Sequence, residues 1–329
     1  MSTKTTVIEK ESVFKKLGRV SGLGTLIPIL ILFVFLSFSN ENFMTADNIL
    51  AILRQAAVYA IMAVGMTFAI ITGGIDLAHG SMLAFAHVIC AYILNNGEGS
   101  MVLAILAAIA VGCILGAMQG SLIAFVGIPP FIVTMGFMNI LRGMTLVITD
   151  AQQIQANYEP FRWMGTQNIW IIPVSVILFI IVGAIGHFIL SKTATGRYVY
   201  ALGSNEAAAK LSGVDTTKNK IKVYTFSGAC VGFASVVYLS RLGAAQPTAG
   251  LNYEMEAIAS TVIGGTSIAG GEGGVIGSLL GAIFVAMIRN GMIMLSISTY
   301  YQQVVIGAII IIAVTIDLMR KRIQARKVN

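Results

Sequence analysis

The sequence predicts an all-α integral membrane protein, a polytopic helical bundle of about ten transmembrane helices. Of its 329 residues, 57% are hydrophobic and 11% are charged, whereas about 25% of the residues in an average soluble domain are charged. Apolar runs of about 17 to 25 residues, the length that crosses a bilayer, recur from end to end with short polar breaks. Within hydrocarbon a helix satisfies its own backbone hydrogen bonds, so these runs predict a helical bundle.

Length and hydropathy place the individual spans. They are predicted at residues 22–39, 49–72, 78–95, 100–126, 130–148, 169–190, 220–241, 255–270, 273–296 and 299–318. The first lacks a small-residue cleavage site and further spans follow at once, so we expect it to stay attached rather than act as a signal peptide. The weakest is 255–270, which starts near Glu256 and ends in a glycine cluster. It is either a full span or a half-helix that re-enters the membrane, in which case the span count changes.

Basic residues orient the bundle. They flank an N-terminal tail (1–21), a polar loop (191–222) and a C-terminal tail (319–329). The stretches assigned to the opposite side hold seven acidic residues, Glu254 and Glu256 among them, and one base. The positive-inside rule therefore predicts that both termini and the 191–222 loop are cytoplasmic, around a transmembrane domain at 22–318.

Several function classes lack the residues that they need. There is no Gly-x-x-x-x-Gly-Lys-Ser/Thr phosphate loop, so we expect the chain not to hydrolyse ATP. Neither a Gly-x-Ser-x-Gly motif nor paired His and Glu ligands occur, which argues against an intramembrane enzyme. Cys90, Cys113 and Cys230 lie scattered in apolar runs and predict packing residues, not disulfides or a metal site. The basic residues behind the net charge of +7 are concentrated on one predicted side of the membrane, so the charge does not indicate nucleic-acid binding.

Two short segments are similar to each other. Residues 73–80 read GGIDLAHG and residues 264–271 read GGTSIAGG, and each is followed by Gly-Ser-x-Leu, at Gly80 and at Gly277. Transporters built from repeats carry glycine-interrupted helices in corresponding positions, where unwound backbone lines a cavity. The predicted topology puts both copies in one orientation at the cytoplasmic boundary. Their residues are expected either to gate an inner mouth or to form helix caps and interfacial salt bridges: Gly73, Gly74, Asp76, His79, Gly264, Gly265 and Glu272.

The 191–222 loop contains a predicted short helix. Ser204 or Asn205 can cap its N-terminus, Glu206 suits the positive end of its dipole, and Gly213 can end it. So short a helix is marginal alone in water, so we expect it to lie on another surface. That surface belongs to an intracellular partner, or else the stretch is a solvated positive-inside loop with a helical turn. The helix and its flanks comprise Gly203, Ser204, Asn205, Glu206, Ala207, Ala208, Lys210, Leu211 and Gly213.

Glycine stripes and isolated basic residues mark other spans. Glycines repeat every fourth residue at 112–120 and 273–281, and we expect both stripes to pack helices within one bundle. Arg142 and Arg289 lie near span ends, where their long side chains can reach the interface.

Five motifs together resemble a known family. They are AIMAVGMT at 60–67, TGGIDL at 72–77, PPFIVT at 129–134, GSNEAA at 203–208, and AIA at 257–259 leading to GGT at 264–266. The chain resembles, nearly end to end, the ribose-type permeases of bacterial ATP-binding-cassette importers, which also serve xylose, allose, galactose and inositol systems. It departs from the family at Ala78-His79, where a Ser-Val pair is expected.

The resemblance implies a type II importer-like permease in the bacterial inner membrane, which moves a monosaccharide, ribose or a related pentose or hexose. It identifies the 203–213 stretch as the coupling helix that docks on a cytoplasmic ATPase. The other implied partners are a second copy of the permease, a periplasmic sugar-binding protein and membrane lipid. No cofactor is expected in this chain, because the partner ATPase, a fused double cassette or two subunits, uses the ATP and Mg.

A sugar path at the axis shared by two copies needs hydrogen-bonding groups without tight binding. The candidates are Gln55, Thr67, Asn139, Thr145 and Asn290. The competing class is an ion-coupled secondary transporter of a small polar solute, which also uses broken helices and repeats. It requires acids deep in the membrane, and it gives the basic 191–222 loop no role.

Overall fold

The computed structural model describes residues 23–95, 101–156 and 158–328, most of which are helical. The helices are α1 (Leu26–Ser39), α2 (Ala46–Ile71), α3 (His79–Asn95), α4 (Met101–Ser121), α5 (Pro130–Thr149), α6 (Glu159–Thr166), α7 (Val174–Lys192), α8 (Ala194–Ser204), α9 (Glu206–Leu211), α10 (Thr216–Leu242), α11 (Tyr253–Ile263), α12 (Val275–Met294) and α13 (Thr299–Val328). A 3-10 turn, Leu23–Thr25, precedes α1, and a π-helix, Leu122–Val126, ends α4. The predicted N-terminal tail lies outside the described residues, whereas α13 runs on through the predicted C-terminal tail to Val328.

Short strands accompany the helices. Strand β1 (Ile154–Gln155) pairs antiparallel with β4 (Ala244–Ala245), so it ties the loop after α5 to the end of α10. Strands β2 (Asn168–Ile169) and β3 (Ile172–Pro173) form a hairpin just before α7. The predicted span at 169–190 therefore begins later than expected, because its first residues form this hairpin.

Seven of the described helices are long and apolar enough to cross a membrane, namely α2, α4 with its π-helix, α5, α7, α10, α12 and α13. The apolar helices α1 and α3 are shorter, with 14 and 17 residues. Helix α11 has eleven residues, about 16 Å at 1.5 Å per residue, against a hydrocarbon core of about 30 Å. This agrees with the half-helix interpretation of 255–270, and the count of ten spans stays a prediction.

Helices α2 and α10 form the centre of the bundle. Every residue of α2 from Ala56 to Ile71 is buried, which is typical of a helix surrounded by others. Helix α4 packs on α10 through glycines: a Cβ added at Gly112 would overlap the Gly228 carbonyl oxygen, and one added at Gly228 would overlap that of Gly112. A Cβ at Gly281 would likewise overlap the Ser260 carbonyl of α11. The expectation of packing within one bundle is confirmed for the first stripe and for Gly281, whereas Gly273 lies in the turn before α12, beside Thr266.

Candidate functional site

Helix α9 lies where the sequence predicts a short helix. The Asn205 side chain caps it, because Oδ1 accepts a hydrogen bond from the Ala208 backbone N–H at 2.9 Å. Gly213 has a φ of +81°, and the Val214 N–H donates to the Ala209 carbonyl, so the chain turns away as a left-handed glycine allows. Of the two predicted N-cap residues, Ser204 and Asn205, it is Asn205 that caps the helix. Gly213 follows the end of the helix as expected.

One face of α9 is free and the other is tied to the bundle. Ala209 is buried, whereas the Leu211 side chain is 90% exposed. Glu206 pairs with Lys220 of α10 at 2.6 Å. Asp215 caps α10 by accepting the Lys218 N–H at 2.9 Å, and this hydrogen bond lowers the pKa of its carboxyl. The helix therefore presents an apolar side chain to the outside from a fixed position.

The two similar glycine segments end their helices in the same way. The Gly74 N–H donates to the Ala69 carbonyl at the end of α2, and the Thr266 N–H donates to the Thr261 carbonyl at the end of α11. The residue before each donor is a glycine with positive φ, +81° at Gly73 and +92° at Gly265. We call residues 72–78 the first glycine turn and residues 264–274 the second.

A further capping bond repeats in the two turns. Asp76 Oδ1 accepts from the Ala78 N–H at 3.0 Å, and Ser267 Oγ accepts from the Ala269 N–H at 3.3 Å. The two segments are therefore similar in structure as well as in sequence.

Both glycine turns lie at the same end of the bundle as α9. The Gly271 N–H of the second turn donates to the Ile71 carbonyl, next to the first turn, at 2.9 Å. The Tyr200 hydroxyl of α8 donates to the Gly273 carbonyl at 2.8 Å. A cleft of about 220 Å³ opens between α9 and the first turn, lined by Thr72, Gly73, Gly74, Ile123, Gly127, Ile128, Pro129, Pro130, Glu206, Lys220 and Tyr224. The structure thus brings together the predicted coupling helix and the predicted inner-mouth glycines.

The side chains of Asp76 and His79 lie deeper in the bundle than the cytoplasmic boundary to which the sequence assigns them. Both side chains are fully buried, with 3.4 Å between Asp76 Oδ2 and His79 Nε2. His79 Nε2 also lies 2.8 Å from the Ser227 hydroxyl, and Ser227 is the twelfth residue of α10, about 16 Å from its start. The reason is that the chain enters the bundle through a short non-helical segment, residues 74–78, before α3 begins. Glu272 is exposed in the second turn, where its backbone carbonyl accepts the Ser267 N–H at 3.0 Å.

Glu254 and Glu256 also differ from expectation, because they are buried in the first turn of α11 rather than exposed in an outer stretch. Glu256 pairs with Arg289 of α12 at 2.5 Å. The Arg289 guanidinium also lies over the rings of Tyr59 and Tyr253, at 5.8 and 6.0 Å from their centroids. Arg289 therefore does not extend to the interface as predicted. The signal in the sequence was a base within an apolar span, which requires an acid close by.

Arg142 also points into the protein. Its Nη1 donates to the carbonyls of Pro247 and Ala249, both at 2.9 Å. A Cβ at Gly80 would overlap the Gly250 carbonyl and the Glu254 carboxylate, so the segment that leads to α11 rests on the start of α3. This segment is held between α3 and α5.

The predicted path residues are not brought together. Thr67 is buried and donates to Ser278 of α12 at 2.7 Å, and Thr145 is buried and donates to the Leu141 carbonyl at 2.6 Å. Asn290 donates to Asn48 at 2.7 Å. Gln55 is part-buried and donates to the Tyr59 hydroxyl at 3.2 Å, and Asn139 is exposed on α5.

Comparisons with known proteins show what the chain is similar to. The family model described as branched-chain amino acid transport system / permease component matches residues 48–314. The ribose import permease protein RbsC of Escherichia coli (strain K12) is 41% identical over 297 residues, which cover 89% of this chain and 92% of the relative. From the same organism, the D-allose transport system permease protein AlsC is 40% identical over 88% of each chain. The xylose transport system permease protein XylH is 32% identical over 89% of this chain and 91% of the relative. No solved structure matches the chain.

Proposed function

The chain belongs to the branched-chain amino acid transport system / permease component family, and from this premise we propose that it is the transmembrane permease subunit of an ATP-binding-cassette importer for a monosaccharide. The relatives reported above are named for ribose, D-allose and xylose, all of them monosaccharides. The family description mentions amino acids, but identity of 41% with a ribose permease over 89% of the chain favours a sugar. Ribose is the first candidate.

The observation that carries the proposal is the position of α9. It is a short capped helix outside the apolar spans, it exposes Leu211, and it lies near the end of α2 and the start of α10. Since the sequence has no phosphate loop, the energy for transport comes from another polypeptide. We propose that α9 docks in a groove of a cytoplasmic ATPase. Closure of the ATPase would then move the docked helix and tilt the bundle as a rigid body between an inward-open and an outward-open state.

The second proposed partner is another copy of the chain, packed along α5. Gly136, Asn139 and Gly143 follow one another at helical spacing, and a Cβ at either glycine would meet no atom within 4 Å. Asn139 is exposed at the tenth position of this 20-residue helix, near mid-membrane. An amide facing lipid there is unfavourable, whereas small residues and an amide suit a contact between helices or a polar path. Among the predicted path residues, the exposed position of Asn139 supports its assignment to this face.

One observation favours the competing function, an ion-coupled secondary transporter. Three acidic residues are buried in the bundle, namely Asp76, Glu254 and Glu256. Each carboxylate has a basic group near it: His79 for Asp76, Arg142 for Glu254 and Arg289 for Glu256. Carboxylates paired in this way need not carry ions. The family and its relatives favour the ATP-driven importer.

The multi-pass chain is proposed to lie in a bacterial inner membrane with both termini and α9 in the cytoplasm, and a periplasmic binding protein is proposed to deliver the sugar. The test is uptake of radiolabelled ribose, allose and xylose into proteoliposomes that contain the chain and its ATPase. ATP is supplied on the α9 side and the loaded binding protein on the other. We expect ATP-dependent uptake of one of these sugars. Uptake by the chain alone, driven by an ion gradient, would overturn the proposal.

A further inference from the structure

Three backbone segments meet at Gly203 without intervening side chains. A Cβ at Gly203 would overlap the Ile71 carbonyl oxygen and lie 2.5 Å from the Gly271 nitrogen. Ile71 is the last residue of α2, just before the first glycine turn, and Gly271 is in the second turn. We call this contact of Gly203, Ile71 and Gly271 the Gly203 junction. Position 203 therefore accommodates only glycine at this distance between segments.

Neighbouring contacts fix the same three segments. The Gly271 N–H donates to the Ile71 carbonyl at 2.9 Å, which joins the two glycine turns. Gly270 and Gly271 both have positive φ, and the space beside Gly271 is filled by Ser204. One turn of α8 before Ser204, the Tyr200 hydroxyl donates to the Gly273 carbonyl at 2.8 Å. The end of α8 is thus held to the second turn at two levels.

Helix α9 follows α8 with one residue between them. Asn205 closes α8 through its N–H, which donates to the Ala201 carbonyl at 3.1 Å, and opens α9 through its side chain, which accepts from Ala208 at 2.9 Å. A connection bonded on both sides leaves little room for α9 to move independently of α8. Side chains can absorb a displacement by changing rotamer, but contacts between backbones cannot.

Each glycine turn is connected along the chain to a buried ionisable group. The first runs into the bundle through Asp76 to His79 at the start of α3. The second follows α11, whose first turn holds Glu256 against Arg289. A displacement of α8 that moves the two glycine turns therefore also moves the segments that hold these buried groups.

We infer that the Gly203 junction transmits the movement of α9 to both glycine turns at once, which makes Gly203 and Tyr200 positioning residues for transport. This rests on the proposed docking of an ATPase at α9. A side chain at position 203 must push α8 away from at least one turn. ATP hydrolysis then continues, but the movement of α9 is no longer transmitted fully to the two glycine turns.

The experiment compares Gly203→Ala with wild type in proteoliposomes that contain the ATPase and loaded binding protein. Three quantities are measured: ATPase bound per permease, ATP hydrolysed, and sugar transported per ATP. We expect bound ATPase and hydrolysis to persist while sugar per ATP falls about fivefold or more, as for the loss of an ordinary coupling between sites. The matched control is Gly307→Ala in α13, where a Cβ would meet no atom within 4 Å, and it should leave all three quantities unchanged.

Tyr200→Phe provides a second variant, because it removes one hydrogen bond to the second turn and adds no atom. We expect a smaller fall in sugar per ATP, in the same direction. A wild-type ratio in both variants would overturn the inference, and if Gly203→Ala does not fold, a wild-type ratio in Tyr200→Phe alone would do so. Failure of the proposed function is a different result, since the wild-type chain would then bind no ATPase.

Discussion

Arg289 and Glu256 form an ion pair inside the bundle, with 2.5 Å between Nη2 and Oε1 and with the Glu256 side chain only 2% exposed. The pair joins the first turn of α11 to α12. Because α11 has eleven residues, its charged N-terminal turn lies within the protein rather than beyond the membrane. The Arg289 guanidinium also lies over the aromatic rings of Tyr59 and Tyr253. The pair therefore fixes the half-helix that ends at the second glycine turn.

Glu256→Gln is predicted to destabilise the purified chain by about 3–5 kcal/mol, because it leaves the Arg289 charge buried without its partner. The measurement is the unfolding midpoint in detergent. The double variant Glu256→Met with Arg289→Met should recover part of the loss, since no buried charge remains. Lys218→Gln, which breaks the exposed pair with Asp215, is the control and should leave the midpoint unchanged. If Glu256→Gln were as stable as wild type, this interpretation of the pair would be wrong.

Arg142→Lys is predicted to loosen the segment that precedes α11. A lysine keeps the charge but loses the planar group that bonds the Pro247 and Ala249 carbonyls together. We expect the free energy of unfolding to fall by at most about 1.5–3 kcal/mol for each charged hydrogen bond that is lost. We also expect a cysteine placed at Thr248 to react faster with maleimide. Labelling at the wild-type rate in the Arg142→Lys background would contradict the prediction.

Gly228→Ala is predicted to separate α4 from α10. The added methyl group would overlap the Gly112 carbonyl, and overpacking of this kind costs about 1–3 kcal/mol. Gly307→Ala adds the same methyl group in open space and should not lower the unfolding midpoint. Equal midpoints for the two variants would show that the glycine contact does not set the distance between these helices.

Much of the fold could be predicted from hydropathy and glycine positions. The α9 helix, capped by one of the two predicted residues, and the repeated glycine turns follow from local patterns, and the half-helix at 253–263 is one of the two alternatives for its segment. Local patterns succeed here because caps and left-handed glycines act within a few residues.

The buried ionisable residues could not be placed in the same way. Asp76 and His79 lie in the bundle because a short non-helical segment leads inward before α3, and Glu256 lies there because α11 starts within the protein. Hydropathy reports the polarity of a segment and not the direction in which it runs. An arginine within an apolar span, such as Arg289, indicates only that some acid lies near it and not which one.

Asn139→Cys is predicted to cross-link two copies of the chain. The experiment uses a background in which the three native cysteines are replaced by alanine, in native membranes treated with an oxidant. We expect a covalent dimer from position 139, because we propose that this face of α5 meets the second copy. Val102→Cys, exposed on α4, is the control and should stay monomeric. A dimer from Val102→Cys and none from Asn139→Cys would place the contact elsewhere.

The central claim, that α9 is held by a separate ATPase, is tested most directly by co-purification from native membranes. A cytoplasmic ATPase should be recovered with the wild-type chain and lost with Leu211→Glu, because a charge replaces the apolar side chain that α9 exposes. Leu251→Glu makes the same change at an exposed leucine before α11, and it should retain the ATPase. Recovery of the ATPase with Leu211→Glu at the wild-type level, or its absence from the wild-type chain, would contradict the claim.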